Sequence, residues 1–156
     1  MLWSLYEHKS STSDPLMSMT ATARRVGNSL KHEVDVNGRH TIVTDEPEHL
    51  GGSDLGPAPH ELLAATLASC IATMIAMYAQ NRDWDIGETA VEVDYDPDSV
   101  PRRFAIDIHL PNDITADQQR RLQRVAETCP VRRALEGGFA FEERIVKTPG
   151  TPAAAV

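Results

Sequence analysis

Only two of the 156 residues are cysteines, Cys70 and Cys129, which is too few for a disulfide-rich scaffold. Basic residues are also scarce, since 15 lysines and arginines stand against 23 acidic residues and give a net charge of −8. An acidic chain argues against nucleic acid or a membrane surface as the main partner, because both attract basic faces. The N-terminal region also lacks the pattern of a secretory signal. We therefore expect a cytoplasmic protein whose thiols are kept reduced.

The apolar content is sufficient for one folded domain. Hydrophobic residues make up 41% of the sequence, and a domain of about 150 residues buries roughly two-thirds of its unfolded surface. Residues 1–18 are polar and without periodicity, so we expect a poorly ordered extension there. Residues 19–149 are expected to form a single domain, followed by a flexible tail at residues 150–156.

One uncharged stretch, Leu62 to Ala79, has the 18-residue length of a membrane span. It is built largely from alanine, serine and threonine, which gain little from insertion into lipid. The composition favours instead a helix from about His60 to Gln80 that is buried on all sides in a soluble core. No membrane segment is therefore predicted.

Strand patterns flank this helix. Asn37-Gly38 separates two alternating runs, and this dipeptide favours the tight turn of a hairpin. Thr115, followed three residues later by Gln118, is a capping box that opens a second helix. Antiparallel strands with two segregated helices indicate an α+β fold, and a helix too long for one sheet to cover favours a homodimer. Further alternating runs predict strands at Thr89–Tyr95, Arg102–Leu110 and Phe139–Lys147.

Both cysteines lie on predicted helices, and spacing alone is consistent with small buried residues or with reactive thiols. Cys129 precedes Pro130, which suits the first position of a helix. The sulfur of Cys129 is therefore expected near free helix N–H groups, which stabilise a thiolate. Small residues surround Cys70 in the sequence and leave room for a reactant. Such a thiol pair suits peroxide reduction, in which one sulfur becomes a sulfenic acid and the other closes a disulfide.

The stretch GGSDLGPAPHELLAATLASCIATM, with Cys129-Pro130-Val131 further along, resembles the OsmC/Ohr family of thiol-dependent hydroperoxide reductases. The resemblance covers about residues 22–147 and implies an intertwined homodimer of α+β subunits with long central helices at the interface. It implies Cys70 as the peroxidatic nucleophile and Cys129 as the resolving thiol. The implied substrate is an organic hydroperoxide, and the implied reductant is a dithiol such as that of a lipoylated protein. No metal, haem or other cofactor is implied.

The sequence departs from the family pattern at two places. The peroxidases carry a glutamate ten residues before the first cysteine, where this chain has His60 and places Glu61 one residue late. One residue along a helix turns a side chain by about 100°, so Glu61 is not a simple substitute. The peroxidases also carry an arginine in the loop before that cysteine, where this chain reads EPEHLGGSD.

An acidic loop raises the pKa of a nearby thiol, so a peroxidase would need a cation that reaches Cys70 from elsewhere. The departures favour an alternative, a relative that is not a peroxidase and that binds a small apolar ligand or uses its thiols for other redox chemistry. A metal site formed by the cysteines and a histidine has no supporting spacing. The candidate activating groups are Arg39 and His60 first, then His49, Arg132 and Arg133, with Glu61 as a further supporting residue.

Overall fold

The computed structural model describes residues 19–146, so the predicted extension at residues 1–18 and the tail at residues 150–156 lie outside the described part. The described residues confirm the α+β class, with five strands and three α-helices. In chain order these are β1 (Ala21–Arg25), β2 (His32–Val36), β3 (His40–Thr44), α1 (Glu61–Gln80), β4 (Ala90–Asp96), β5 (Arg103–His109), α2 (Ala116–Glu127) and α3 (Pro130–Gly137).

The first three strands form an antiparallel meander in the order β1-β2-β3. The turn between β2 and β3 is Asn37-Gly38, with φ values of 55° and 64°. Asparagine and glycine are the residues that adopt this left-handed conformation most readily. The Asp35 carboxylate accepts a hydrogen bond of 2.8 Å from the Gly38 N–H and holds the turn closed. The hairpin predicted from Asn-Gly is confirmed.

A buried carboxylate organises the loop after β3. The Asp45 side chain is 1% exposed, and it accepts hydrogen bonds from the N–H groups of Glu46, Ser53 and Leu55 at 2.9, 3.1 and 3.4 Å. Gly52 lies so close to the Glu46 carbonyl that a side chain there would collide with it. These contacts therefore give the long acidic loop a defined conformation.

The strands β4 and β5 form a second, two-stranded sheet. Half-buried and exposed residues alternate along both strands, as their apolar pattern predicts. The rings of Tyr95 and Phe104 stack with their centroids 4.6 Å apart. This sheet thus has one apolar and one polar face.

The strand predicted over Phe139–Lys147 is wrong for its described part, because residues 139–146 have no regular secondary structure. Phe139 and Phe141 are 60% and 78% exposed, and their rings contact each other at 6.3 Å between centroids. Alternating residues favour an extended backbone, but a strand also needs a partner for its N–H and C=O groups. Within residues 19–146 this segment has none.

Within the single chain the long helix α1 is buried along one stripe, and its burial on the other faces stays a prediction for the homodimer. The buried residues follow a spacing of four, which places them on one helix face. Met77, on another face, is 41% exposed. By length and composition alone α1 is apolar enough to cross a membrane, with a mean hydropathy of 1.9 and 22% of the apolar window buried. The buried stripe consists of Leu67, Ile71, Ile75 and Ala79.

The described residues divide into a first unit, residues 19–66 and 93–106, and a second unit, residues 67–92 and 107–146. Within the described part of the first unit, the buried side chains are the polar residues Thr44 and Asp45. Among the residues that the structure describes, an apolar core is therefore present only in the second unit. Its buried apolar side chains are Leu67, Ile71, Ile75, Ala79, Ile86, Leu122, Ala126 and Cys129.

Candidate active site

Both cysteines belong to the second unit. Cys70 lies in the middle of α1 and is half-buried, beside the fully buried Ile71. Cys129 lies at the junction of α2 and α3 and is 0% exposed. Both thiols are free. The site thus has one half-buried cysteine and one buried cysteine.

The junction that carries Cys129 is fixed by local chemistry on both sides. The helix α2 begins with the capping box, in which the Thr115 hydroxyl accepts from the Gln118 N–H at 3.2 Å and the Gln118 side chain accepts from the Thr115 N–H at 2.8 Å. This confirms the predicted helix start. After α2 the chain continues into α3 with Pro130 at the first helical position, where its missing N–H is tolerated.

The side chain of Cys129, which lies 59 positions further along the chain, raises the pKa of the Cys70 thiol. The backbone of Val131, in the first turn of α3, lowers it. Two groups at the start of α3 therefore act on the Cys70 thiol in opposite directions. An arrangement of this kind suits dithiol–disulfide chemistry, because each sulfur is within reach of the other.

Burial raises the pKa of the Cys70 thiol, and the hydrogen bond with Cys129 raises it further. The Val131 N–H lowers the pKa, whereas the charge of Cys129 adds another upward contribution. The net direction is upward, so the thiol form of Cys70 dominates at neutral pH in the reduced protein.

The sulfur of Cys129 is predicted to lie near the free N–H groups of α3. Cys129 is the N-cap residue of α3, and its side chain makes no capping hydrogen bond. Its carbonyl accepts the Arg133 N–H at 3.0 Å, as the carbonyl of an N-cap residue does. The Val131 backbone, in the same turn, lowers the pKa of Cys70. Residue types alone missed this donor, although the order Cys-Pro-Val indicates that Val131 is the first residue of α3 that has an N–H to donate.

The candidate activating groups are distributed over both units. Arg39, His49 and His60 are exposed residues of the first unit, so their support for Cys70 stays a prediction. Glu61 also belongs to the first unit, and its carboxylate accepts the Ala58 N–H at 2.8 Å. That hydrogen bond stabilises the start of α1, so the Glu61 carboxylate is engaged locally.

The arginines after Cys129 belong to the second unit. The Arg132 guanidinium pairs with the Glu136 carboxylate one turn later in α3, with 2.8 Å between Nε and Oε1. This pairing offsets the positive charge that Arg132 brings to the start of α3. Among residues 19–146, no group of three or more histidines, cysteines and acidic residues is arranged to hold a metal ion. The described part of the site is therefore a pair of thiols with a backbone donor.

The chain thus has an α+β fold with one free cysteine on α1 and another at the junction of α2 and α3. The OsmC-like protein family matches residues 51–144, which include α1 and both cysteines. This match spans more than half of the chain, and the chain belongs to the OsmC-like family.

Solved structures have the same fold. A crystal structure of a proposed osmotic stress induced and detoxification response protein from Psychrobacter arcticus has a TM-score of 0.61 and 27% identity, over 81% of this chain and 90% of that one. An organic hydroperoxide resistance protein OsmC from Legionella pneumophila has a TM-score of 0.55 and 21% identity, over 78% and 91%. An uncharacterized protein of Haloferax volcanii is 29% identical over 97 residues, or 60% of this chain and 74% of that protein.

Proposed function

We propose that the protein reduces organic hydroperoxides through Cys70 as the peroxidatic thiol and Cys129 as the resolving thiol. The observation that supports this most directly is the effect of the Cys129 side chain on the Cys70 thiol, whose pKa it raises. Membership of the OsmC-like family adds support, as does the similarity in fold to an organic hydroperoxide resistance protein of Legionella pneumophila. In this scheme the half-buried Cys70 reacts first with the peroxide, and the buried Cys129 then reacts with the oxidised Cys70.

The first step is oxidation of Cys70. Its thiolate attacks the distal oxygen of the hydroperoxide, the O–O bond breaks, and the alkoxide leaves and takes a proton to become an alcohol. Cys70 is then a sulfenic acid, oxidised by two electrons. The Cys129 sulfur attacks the Cys70 sulfur, the S–OH bond breaks, and water leaves as the disulfide forms.

The second half of the cycle restores the two thiols. A dithiol, such as a dihydrolipoyl group, attacks the disulfide through a mixed disulfide, and its second sulfur displaces the protein thiol. The dithiol is oxidised to its own disulfide by the same two electrons that reduce the protein. No metal or further cofactor takes part in this scheme.

We further propose that residues 19–149 act as one OsmC-like domain within a cytoplasmic homodimer. Exposed apolar side chains and the lack of an apolar core in the described part of the first unit support a second copy as the cover. The one-sided burial of α1 supports the same assembly, since an apolar helix face is stable against another protein surface. The exposed side chains on α1 and near the C-terminus include Leu63, Met77, Phe139, Phe141 and Ile145.

A second candidate function is favoured by the upward direction of the Cys70 pKa and by His60 at the position of the family's glutamate. In this alternative the protein binds a small apolar ligand, or its thiols serve another redox reaction. The two candidate functions predict different rates for the reaction of the reduced thiols with an organic hydroperoxide.

The test is consumption of cumene hydroperoxide by the purified protein with dihydrolipoamide as reductant. We expect Cys70→Ser to reduce turnover to the uncatalysed background. Cys129→Ser should oxidise once and stop at a sulfenic acid that dimedone traps. Ser69→Ala, at an exposed position next to Cys70, is the matched control and should retain turnover. If the parental protein does not consume cumene hydroperoxide, or if Cys70→Ser consumes it as fast as the parent, the peroxidase proposal is wrong and the alternative function takes its place.

A further inference from the structure

We propose that the exposed arginines of α2 form a docking surface for an acidic protein that delivers the reducing dithiol to the two cysteines. This surface is the arginine face of α2, which consists of Arg120, Arg121 and Arg124. That the docked protein carries a dithiol rests on the proposed function. Its acidic character does not, because that follows from the charges of α2 alone.

The arginine face lies on the side of α2 that points away from the core. Leu122 and Ala126 are the buried residues of this helix. Arg120 and Arg124 each lie two positions before one of them, which turns these arginines by about 200° around the helix axis. The side chains of Arg120 and Arg121 are 62% and 51% exposed, and Arg124 is exposed as well. The three guanidinium groups are therefore presented to the surroundings.

Positive charge is concentrated in this region although the chain as a whole is acidic. Residues 116–137 contain five arginines and three acidic residues, whereas the rest of the chain contains ten basic and twenty acidic residues. Charges in solution are screened over about 8 Å at physiological ionic strength. A partner at α2 therefore responds to the local arginines more than to the net charge of the protein.

The ion pairs of α2 leave part of this positive charge unmatched. Two guanidinium groups share the single carboxylate of Asp117, with 2.6 Å from Arg121 Nε to Oδ2 and 3.2 Å from Arg120 Nη2 to Oδ1. Arg124 makes no ion pair with any residue of the described range 19–146. The arginine face therefore has spare capacity to bind acidic groups from another molecule.

The size and chemistry of the arginine face fit an acidic protein surface. A guanidinium group binds a carboxylate through two parallel hydrogen bonds, which gives both strength and orientation. The helix α2 has 12 residues and is about 18 Å long, which matches a small contact with a few carboxylates. Nucleic acid fits less well, because strong binding draws on about 6–10 phosphate contacts and the rest of this chain is acidic.

The arginine face leads directly into the turn that carries Cys129. The helix α2 ends at Glu127, and Cys129 follows as the N-cap residue of α3. Arg124 lies five positions before Cys129, so their Cα atoms are on the order of 10 Å apart or less. A protein held here by its carboxylates would present a tethered dithiol to the cysteines at a high effective concentration.

The test compares a protein-bound dithiol with a free one. The full-length protein is oxidised with diamide and then reduced by neutral dihydrolipoamide or by a dihydrolipoylated protein domain of net negative charge. We expect Arg120→Gln/Arg124→Gln to slow reduction by the acidic domain roughly tenfold at low salt, because complementary charges raise association rates. Reduction by dihydrolipoamide should be unchanged, and the difference between the reductants should disappear at high salt.

Two further variants separate charge from its surroundings. Arg24→Gln/Arg103→Gln removes the same charge from exposed positions of β1 and β5 and should retain the parental rate with both reductants. Arg120→Lys/Arg124→Lys retains the charge of the arginine face and should keep most of the rate. A glutamine variant of α2 as fast as the parent, or an equal loss in the variant of β1 and β5, would overturn the proposal.

Binding is measured separately from reduction by isothermal titration calorimetry. The acidic domain with its lipoyl group oxidised should bind the reduced parent with an affinity that falls with salt and with Arg120→Gln/Arg124→Gln. If a short DNA duplex, or vesicles containing phosphatidylserine, bind the arginine face as tightly as this domain, the proposed partner is wrong. If the domain binds through the arginine face but the protein does not consume cumene hydroperoxide, the proposed function fails and the docking surface stands.

Discussion

The side chain of Cys129, the residue that immediately precedes α3, raises the pKa of the Cys70 thiol in α1. One sulfur is half-buried and the other fully covered. An oxidant that enters from outside the chain therefore meets Cys70 before Cys129. This order of access gives the two thiols different expected responses to substitution and to pH.

Replacing Cys129 by alanine should lower the pKa of Cys70. The Cys129 side chain raises that pKa by its hydrogen bond and by its charge, so its removal leaves burial opposed by the Val131 N–H alone. Iodoacetamide alkylation should show its midpoint at lower pH than in Thr128→Ser, a conservative change next to the site. A midpoint that stays in place or rises contradicts the contact between the sulfurs.

The rate of peroxide reduction should continue to increase with pH in the alkaline range. Because the net shift of the Cys70 pKa is upward, the thiolate fraction keeps growing beyond the usual thiol value of about 8.5. Stopped-flow oxidation of the reduced parent with cumene hydroperoxide gives this profile directly. A rate that has already levelled off below pH 7 would indicate that a cation, such as Arg39 or His60, activates Cys70.

The dithiol protein should lose stability at alkaline pH. A raised thiol pKa means that the folded state binds the proton more tightly, so its contribution is complete below the unfolded thiol's pKa of about 8.5. That contribution is lost as the pH rises through the folded value. Urea unfolding between pH 7 and pH 10 should show a weaker dependence on pH in Cys70→Ala than in the parent. Equal slopes for the two proteins would contradict the upward shift.

Replacing Asp45 by asparagine should destabilise the protein by about 1–3 kcal/mol, because the amide group cannot accept all three part-buried hydrogen bonds that the carboxylate accepts. Asp54→Asn makes the same charge change at an exposed position of the same loop and is the control. The free energy of unfolding in urea is the readout. Similar values for the two variants would show that the carboxylate does not hold the loop.

A charge at Met77 should weaken the proposed homodimer, because this side chain lies on an exposed face of the apolar helix α1. We expect Met77→Asp to shift the protein towards monomer on size-exclusion chromatography with light scattering. Gln123→Asp, on the exposed face of α2, should leave the assembly intact. A parent that is monomeric, or soluble only in detergent, contradicts the proposed assembly.

Elements set by local chemistry were predictable from the sequence. Asn37-Gly38 requires a left-handed turn, Thr115 completes a capping box, and Pro130 begins a helix. Each of these signals involves residues within a few positions of one another. The α+β class followed from their order along the chain.

Features that depend on distant partners were harder to predict. Alternation at Phe139–Lys147 indicated a strand, but no residue pattern says whether a partner strand is present in the same chain. The contact between Cys70 and Cys129 was expected from the family resemblance and not from spacing. The effect of Val131 on the Cys70 pKa was missed, because it comes from the backbone and not from a side chain that the sequence singles out.

Cys129 and Val131 lie two positions apart at the start of α3, and they shift the pKa of the Cys70 thiol in opposite directions. Two residues of one helical turn do not move separately. A displacement of this turn therefore changes both contributions to the Cys70 pKa together, so a substitution that repositions α3 alters them as a pair.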